Sequence, residues 1–327
     1  MAADQVPALV VTSNGGPEVL EVQHRPVPSP GPDEVLIEVA AAGVNFIDVY
    51  QRTGVYPIPT PFVLGGECAG TVAAVGSHVS DFAVGDLVAT ADASGAMAGQ
   101  VTVAAEGVVA VPREVSAEQA GAVMLQGMTA HYLVTSLYDV TPGIEVLVHA
   151  AAGGVGQLLV QLCKARGAHV VAIVGTQAKE EIARSLGADE VLRYDEVDDL
   201  AAAVRAASDG GVHVAYDGVG KATFDASLAS LRRRGMMALY GAASGQVPPV
   251  DPQRLNSGGS LFLTRPTLKH YAATPDELRW RAEEILSAVA DGELKVEIGG
   301  TYPLDRAAEA YRALEARQTT GKLLLIP

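Results

Sequence analysis

The sequence has 327 residues, 49% hydrophobic and 19% charged, a composition typical of a globular protein of about two domains and not of a disordered chain. Because 38 acidic residues outnumber 23 Lys and Arg, the formal net charge is -15, and such a field repels phosphate backbones and anionic lipids. We therefore expect neither a nucleic-acid partner nor a membrane partner.

Cysteine usage and the N-terminal residues bear on the cellular compartment. Cys68 and Cys163 are too few for a disulfide framework, and no CxxC pattern is present. Residues 1–10 lack the basic region and apolar run of a secretion signal. No uninterrupted apolar stretch of the sequence reaches the roughly 18 residues of a membrane span. These features predict a cytoplasmic location.

Short strand-like runs separated by Gly and Pro fill the chain up to about residue 125. They include residues 34–39, Cys68–Val75 and residues 86–90. Such spacing is typical of a small all-β barrel or sandwich. Ser116 and Gln119 have the spacing of a capping box, which predicts that a helix begins there.

Residues 126–267 alternate between buried-type strands and helices. Strands are predicted at 145–149, 169–174, 190–192 and 212–216, and helices at 156–166, 179–186 and 200–207. Gly167 and Gly187 are suitable helix stops, because glycine accepts the left-handed conformation found there. The alternation predicts an α/β fold with a Rossmann-type, doubly wound parallel sheet.

Residues 268–327 return to mixed structure. Thr274, followed by a proline and by Glu277, predicts a capped helix that runs to about residue 291. Asp305 is predicted to cap another helix through residue 316, and residues 322–326 are predicted to form a final strand.

A glycine-rich loop, Ala151-Ala-Gly-Gly-Val-Gly156, directly follows the predicted strand ending at His149. In this pattern Gly153 allows close approach of a pyrophosphate, and Gly156 allows the helix to pack tightly on the strand. The free N–H groups of a helix N-terminus favour an anion. A purely structural turn is the alternative, but the position between strand and helix favours nucleotide binding by residues 153–156.

The end of the next predicted strand bears on the choice between NAD and NADP. An NAD site usually places a carboxylate there for the ribose 2′-OH, whereas this chain has Gly175 and Thr176, followed by Lys179. A missing carboxylate and an added cation favour a 2′-phosphate, to which Tyr194 could add a hydroxyl. The alternative for Lys179 is a solvated helix start.

Three further features are assigned structural roles. His149 is interpreted as a packed or hydrogen-bonded residue rather than a catalytic one. The run Arg232-Arg-Arg234 is interpreted as a solvated helix end. Cys68 and Cys163 are predicted to lie in the core, because unpaired cysteines are among the most buried residues.

With these residues in hand, the chain resembles the zinc-independent quinone oxidoreductases of the medium-chain dehydrogenase/reductase superfamily over nearly its whole length. The motifs that carry the resemblance are Gly15-Gly-Pro-Glu-Val-Leu20, Gly43-Val-Asn-Phe-Ile-Asp-Val-Tyr50, Gly54-Val-Tyr56, residues 149–156, Tyr216-Asp-Gly-Val-Gly220, Leu263-Thr-Arg-Pro266 and Leu323-Leu-Leu-Ile-Pro327. Together they are far more specific than the glycine loop alone.

The resemblance implies a GroES-like, barrel-type catalytic domain from residues 1–125 and 268–327, with an NADPH-binding Rossmann domain of residues 126–267 inserted between them. It implies NADPH in the cleft and a homodimer joined through the nucleotide domains. Matching positions imply cofactor contacts, in addition to the glycine loop, Gly175 and Thr176, for Thr129, Lys179, Tyr194, Gly241, Leu263, Arg265 and Arg317. Asn45, Tyr50 and Tyr56 match residues at the substrate end.

No metal is expected. Zinc-dependent relatives carry a ligand cysteine near the position of Asn45 and a histidine where Gly66 stands before Glu67. The structural zinc loop with four cysteines is also missing. Catalytic zinc needs about three protein ligands, and Cys68 lies one residue past Glu67, off the ligand position.

Hydride transfer to a quinone places negative charge on oxygen, which calls for hydrogen-bond donors near that atom. The Asn45 amide and the hydroxyls of Tyr50 and Tyr56 could donate, and the tyrosine rings could face a substrate ring. Asp48 is interpreted as structural, orienting the loop or Arg52. The alternative for Asn45 and Asp48 is that they only satisfy backbone groups of a turn.

Three functions compete at this point. NADPH-dependent reduction of quinones is favoured. Reduction of an activated C=C bond, as in enone or enoyl reductases, needs the same cofactor geometry and would depend more strongly on a proton donor. A non-enzymatic crystallin-like or RNA-binding role is disfavoured by the net charge of -15.

Overall fold

The computed structural model describes residues 5–327; residues 1–4, part of the segment searched for a secretion signal, lie outside the described residues. The chain divides into two compact units. The split unit contains the residues up to Met128 together with Thr274–Pro327, and the central unit contains Thr129–Ala273. The sequence had placed these boundaries at 125/126 and 267/268.

The first part of the split unit consists mainly of short strands. Its elements are β1 (Gln5–Val11), β2 (Leu20–Pro26), β3 (Glu34–Val44), α1 (Phe46–Arg52), β4 (Phe62–Val63), β5 (Cys68–Val75), β6 (Leu87–Thr90), β7 (Gln100–Ala104), β8 (Val108–Ala110) and α2 (Ala117–Tyr132), whose last turn enters the central unit. The predicted capping box is confirmed, since Ser116 N–H donates to Gln119 Oε1 and Gln119 N–H donates to Ser116 Oγ.

The central unit alternates strands and helices as predicted. Its elements are β9 (Glu145–His149), α3 (Gly154–Ala165), β10 (His169–Val174), α4 (Gln177–Ser185), β11 (Glu190–Arg193), α5 (Leu200–Ala207), β12 (Val212–Asp217), α6 (Phe224–Ala229), β13 (Leu231–Leu239), α7 (Gln253–Ser257), β14 (Phe262–Thr264) and α8 (Leu268–Tyr271). Gly167 and Gly187 follow α3 and α4 with φ of 78° and 97°, which confirms both helix stops. The helix end predicted at residues 232–234 was wrong, because these arginines lie in β13.

The sheet of the central unit has the strand order β11-β10-β9-β12-β13-β14, with every pair parallel. The chain starts in the middle at β9, builds one side through β10 and β11, and then continues on the other side of β9 with β12. This reversal is the switch point of a doubly wound sheet, beyond whose carboxyl strand ends ligands bind. The predicted Rossmann-type sheet is therefore confirmed.

The C-terminal part of the chain completes the split unit with α9 (Pro275–Ala290), β15 (Ile298–Pro303), α10 (Ala307–Glu315) and β16 (Lys322–Ile326). The capping box of α9 is confirmed, because Thr274 Oγ1 accepts from the Glu277 N–H and Glu277 Oε2 accepts from the Thr274 N–H. The cap predicted at Asp305 was wrong: Leu304–Arg306 forms a 3-10 turn, and Arg306 is the N-cap of α10.

Two sheets shape the split unit. One has the order β15-β16-β3-β5-β6-β8 with β7 also paired to β3, and the other has the order β2-β1-β4. Alternate residues of β3 such as Val35 and Ile37 pack with Leu323 and Leu325 of β16 in a common core. Because β16 pairs antiparallel with the end of β3, its first residue, Lys322, lies beside Asn45, the N-cap of α1. In residues 5–327, no helix combines the length and apolar character needed to cross a membrane.

Candidate active site

The glycine-rich loop connects β9 to α3 at the switch point of the central sheet. Ala150 has a φ of 50°, a left-handed conformation that is costly for a residue with a side chain, and its carbonyl accepts from Gly153 N–H at 2.8 Å. A Cβ on Gly156 would clash with the Ala150 carbonyl oxygen, so this position needs glycine. The start of α3 therefore lies tight against the end of β9.

The N-terminus of α3 leaves backbone donors available for a ligand. The N-cap is Gly153, and no side chain among residues 5–327 caps this helix. The first N–H groups of a helix have no partner within the helix. Those of Gly154, Val155 and Gly156 therefore form a site that favours an anion. The structure brings all four predicted residues of the loop into one turn.

The end of β10 carries the next group of predicted cofactor residues. Gly175 follows the strand, Thr176 is the N-cap of α4, and Thr176 Oγ1 accepts from the Lys179 N–H at 3.3 Å. A Cβ on Gly175 would meet no atom within 4 Å. The Tyr194 N–H donates to the Val174 carbonyl at 3.1 Å, which places Tyr194 beside this strand end.

A buried polar network lies behind the strand ends. His149 is hydrogen-bonded to Tyr194 and to Ser227, and both Ser227 and Thr223 donate to Asp217. Asp217 also accepts the N–H groups of residues 219 and 220. His149 is thus hydrogen-bonded, as the sequence analysis predicted. Asp217 and Ser227 were missed, although an aspartate at a strand end before Gly218-Val-Gly220 was a signal.

The other predicted cofactor residues lie at several places. Thr129 is on α2 and nearly buried, Gly241 follows β13, Leu263 is in β14, and Arg265 donates to the Tyr240 carbonyl at 2.8 Å. Arg317 belongs to the split unit, just after α10, with a φ of 58°. Their contact with a cofactor stays a prediction.

A buried cluster of polar side chains lies in the split unit, where the loop before α1 meets β16. Lys322 Nζ donates to Glu67 Oε2 at 2.5 Å and to Asn45 Oδ1 at 2.7 Å. The Asn45 amide donates to Glu67 Oε2 at 2.8 Å and to the Gly43 carbonyl at 3.2 Å. Glu67 Oε1 accepts from the Leu125 N–H at 2.7 Å.

This cluster engages the whole Asn45 side chain. Both amide hydrogens are directed to protein acceptors, and Asn45 is 4% exposed. Donation by Asn45 to a substrate oxygen, which stays a prediction, would therefore require one of these hydrogen bonds to be exchanged. Glu67 and Lys322 were not predicted as members of this cluster, because charged residues are almost never fully buried unless paired.

Asp48 is fully buried on α1. Its Oδ2 accepts from the Asn45 N–H at 2.7 Å and from the Tyr311 hydroxyl at 2.9 Å. Burial raises the pKa of Asp48 to about 7, while these hydrogen bonds act in the opposite direction. Orientation of the loop by Asp48 is confirmed; the suggested role on Arg52 is not seen, because Arg52 pairs with Glu315 at 2.8 Å.

Tyr50 and Tyr56 come together near the end of α1. Their ring centroids are 5.3 Å apart with an interplanar angle of 66°, and the Tyr56 N–H donates to the Tyr50 carbonyl at 2.9 Å. Tyr56 is 41% exposed. Because Asn45 precedes the same helix, the three residues predicted for the substrate end lie on one short segment.

Metal-ligating groups are scarce in this arrangement. Residues 5–327 contain no group of three or more His, Cys, Asp or Glu that could hold a metal ion. Burial raises the pKa of Cys68 to about 12, and the neighbouring Glu67 acts in the same direction. The Cys68 thiol is therefore protonated in this environment. Both cysteines are buried, as predicted.

Two families match the chain. Residues 31–145 match the alcohol dehydrogenase GroES-like domain, and residues 154–284 match the zinc-binding dehydrogenase family. A parallel Rossmann-type sheet inserted into a GroES-like unit defines the class of medium-chain dehydrogenases/reductases. The GroES-like fold predicted for the split unit is thereby confirmed.

Individual relatives indicate which family within this class the chain belongs to. A quinone oxidoreductase of Pseudomonas aeruginosa is 43% identical over 96% of this chain and 97% of its own length. A 2-haloacrylate reductase of a Burkholderia species is 40% identical over 98% and 99%. The crystal structure of Escherichia coli quinone oxidoreductase complexed with NADPH superposes with a TM-score of 0.96 at 40% identity, covering 98% and 100% of the two chains. The chain belongs to the quinone oxidoreductase family of the medium-chain dehydrogenases/reductases.

Proposed function

We propose that this protein is an NADPH-dependent, zinc-independent quinone reductase. The observation that carries the proposal is the open N-terminus of α3 beside a β10 end that has Lys179 and no carboxylate. These groups fit a phosphorylated dinucleotide, because backbone N–H groups suit the pyrophosphate and a cation suits the 2′-phosphate. The binding of NADPH by a solved relative supports the assignment.

The chemistry divides between cofactor and protein. When bound, NADPH supplies the hydride that reduces the quinone. The N–H groups of Gly154, Val155 and Gly156 hold the pyrophosphate, and Lys179 and Tyr194 hold the 2′-phosphate. Tyr50 and Tyr56 offer ring faces to the quinone and hydroxyl donors to the oxygen that gains charge. The final proton can come from solvent, so no side chain is an indispensable acid.

A second candidate is reduction of an activated C=C bond, favoured by the similarity to a 2-haloacrylate reductase. Carbon protonation depends more strongly on a positioned donor than protonation of a hydroquinone does. Under this alternative, Tyr50→Phe or Tyr56→Phe lowers enone turnover more strongly than quinone turnover, because only carbon protonation loses its proton donor. Equal effects of both variants on the two substrate classes would remove this distinction.

The decisive experiment is a parallel fluorescence titration with NADPH and NADH. We expect NADPH to bind at least about tenfold more tightly, a difference of about 1.4 kcal/mol. Lys179→Met removes most of this preference, whereas Lys295→Met, which removes an exposed lysine of the split unit, keeps it. Binding of neither nucleotide by the wild-type protein would contradict the proposal.

We also propose a cytoplasmic location, which is consistent with two unpaired cysteines.

We further propose a homodimer joined through the central units. The strand β14 is an edge of the central sheet, and its Phe262 side chain is 57% exposed. Exposed edge strands are templates for pairing with another chain. Light scattering should give twice the chain mass of 33.7 kDa, and Phe262→Glu should lower it toward the monomer.

A further inference from the structure

A continuous chain of hydrogen bonds runs through the central unit from Tyr194 to Asp217. The Tyr194 hydroxyl lies 2.8 Å from His149 Nδ1, and His149 Nε2 lies 2.8 Å from Ser227 Oγ. Ser227 Oγ donates to Asp217 Oδ2 at 2.7 Å. His149, Ser227 and Asp217 are fully buried, whereas Tyr194 is 38% exposed. The chain thus connects a buried carboxylate to a side chain at the surface.

The direction of each hydrogen bond follows from the chemistry of the partners. Ser227 has a single hydroxyl hydrogen, and both the Asp217 carboxylate and the Thr223 carbonyl, 3.0 Å away, can only accept it. The remaining contact of Ser227, with His149 Nε2, must therefore have the histidine as donor. This fixes the proton of His149 on Nε2.

His149 is neutral in this environment. Burial lowers its pKa, and the Asp217 charge opposes the shift only in part. In the described residues, the titratable groups that face the ring are Tyr194, which follows β11, and Asp217, at the end of β12; Ile173 pairs with His149 from β10. Because a neutral imidazole carries one N–H, Nδ1 must accept the hydroxyl hydrogen of Tyr194.

This arrangement conflicts with the task proposed for Tyr194. Its backbone N–H donates to the Val174 carbonyl, at the strand end that precedes Gly175 and Lys179. The proposed function assigns the Tyr194 hydroxyl to the 2′-phosphate as a donor. A phosphate dianion needs donors, and the single hydroxyl hydrogen of Tyr194 already points to His149.

We propose that His149 is a positioning residue that determines the preference for NADPH by taking up a proton when the 2′-phosphate binds. A proton from solvent adds to His149 Nδ1, which then donates to the Tyr194 oxygen, and Tyr194 turns its hydrogen to the phosphate. His149 Nε2 continues to donate to Ser227. One proton enters for each NADPH bound, and none enters for NADH. The inference rests on the proposed 2′-phosphate site at Lys179 and Tyr194.

The test measures binding rather than turnover. Calorimetric titrations with NADPH and NADH in two buffers of different ionisation enthalpy, between about pH 7 and pH 9, count the protons taken up; a phosphate monoester, with a second pKa of about 6, is largely a dianion there. We expect uptake approaching one proton with NADPH and none with NADH. Because NADPH binding is then linked to proton uptake, the affinity for NADPH falls by up to about tenfold for each unit of rising pH, and the affinity for NADH stays unchanged.

Three variants test whether the proton taken up with NADPH binds to His149. His149→Gln cannot titrate, so proton uptake disappears and NADPH affinity falls about tenfold relative to NADH, about 1.4 kcal/mol. Ser227→Ala releases the constraint on the His149 tautomer and lowers the uptake. Ser230→Ala is the matched control, because this buried serine also donates to the carbonyl four residues before it but does not touch His149.

The outcomes separate the two proposals. Equal proton counts for both nucleotides, or full uptake in His149→Gln, would overturn the role of His149 while tight NADPH binding leaves the proposed function intact. If His149→Gln does not fold, unchanged uptake in Ser227→Ala overturns it instead. Loss of the preference for NADPH in the wild-type protein would overturn the proposed 2′-phosphate site itself.

Discussion

The N-termini of α1 and α3 both have backbone N–H groups that need hydrogen-bond acceptors, but the two helices obtain these acceptors in different ways. Both place unpaired N–H groups and a positive dipole end at the tip of a loop. At α1 the protein supplies its own acceptor, because the buried Asp48 side chain accepts from the Asn45 N–H at 2.7 Å. At α3 the N-cap is Gly153, and the part of the chain described supplies no capping side chain.

The site around α1 is therefore completed by the protein's own side chains, whereas the site around α3 is completed by a ligand. Around α1, Glu67 and Lys322 neutralise each other in the core, and Asn45 is held between them. Around α3, backbone donors stay available and a side chain at Gly156 is forbidden. The first arrangement favours rigidity, and the second favours binding of phosphate groups.

The largest expected effect comes from opening the closed cluster. Lys322→Met leaves the Glu67 carboxylate buried and unpaired, and removing one partner of a buried pair costs about 3 to 5 kcal/mol of the free energy of unfolding. Urea denaturation measures this loss. The double variant with Glu67→Gln should recover part of it, and Lys295→Met at an exposed position should cost little. A loss below about 1 kcal/mol would contradict the role of the pair.

A pH-dependent effect is expected at Asp48. Its folded pKa of about 7 lies above the ordinary 3.8, so the folded state holds the proton more tightly, and the stability gained at low pH is lost as the pH rises through about 7. Asp48→Asn keeps an accepting oxygen and removes this loss. The variant should gain about 2 to 4 kcal/mol relative to wild type between pH 4 and pH 8.

Denaturation curves at several pH values measure the difference between the two proteins. Asp305→Asn, at an exposed carboxylate of the same unit, is the control and should follow the wild type. A constant difference between wild type and Asp48→Asn across this range would show that Asp48 is not protonated in the folded state.

A substitution that blocks the N-terminus of α3 tests whether this end of the helix binds the cofactor. Gly156→Ala drives a Cβ into the Ala150 carbonyl oxygen, which should cost about 1 to 3 kcal/mol of stability and weaken NADPH binding by at least about tenfold. Gly175→Ala, whose Cβ meets no protein atom within 4 Å, should change stability by less than about 0.5 kcal/mol. Thermal denaturation and NADPH titration of both variants measure these effects. Wild-type binding in Gly156→Ala would contradict the role of the loop.

The smallest effect is expected at the start of α4, which is capped by a neutral side chain. Thr176→Ala removes the hydroxyl that accepts from the Lys179 N–H and should cost about 1 kcal/mol. Ser185→Ala, at the other end of α4, removes a hydroxyl bonded to a carbonyl and serves as the control. A larger loss in NADPH affinity than in stability would show that Thr176 also contacts the cofactor.

Local patterns predicted the elements wherever one segment determined them. The strands Cys68–Val75, Glu145–His149 and His169–Val174 and the helix Leu200–Ala207 have the predicted bounds. Prediction failed at Asp305, where a 3-10 turn precedes the helix. It also failed at residues 232–234, because Leu231 and Met236 on either side of them pair with β12 and keep this charged run within β13. Tertiary pairing commonly overrides local preference in strands.

The sequence by itself determined the doubly wound sheet, the glycine loop, and the absence of a carboxylate at the end of β10, because periodicity and spacing are local properties of the chain. Only the tertiary structure decided that Lys322 reaches Asn45 and Glu67, and that Asp217 and Ser227 hold His149. These contacts join residues far apart in the chain, and the burial that gives them their strength exists only after folding.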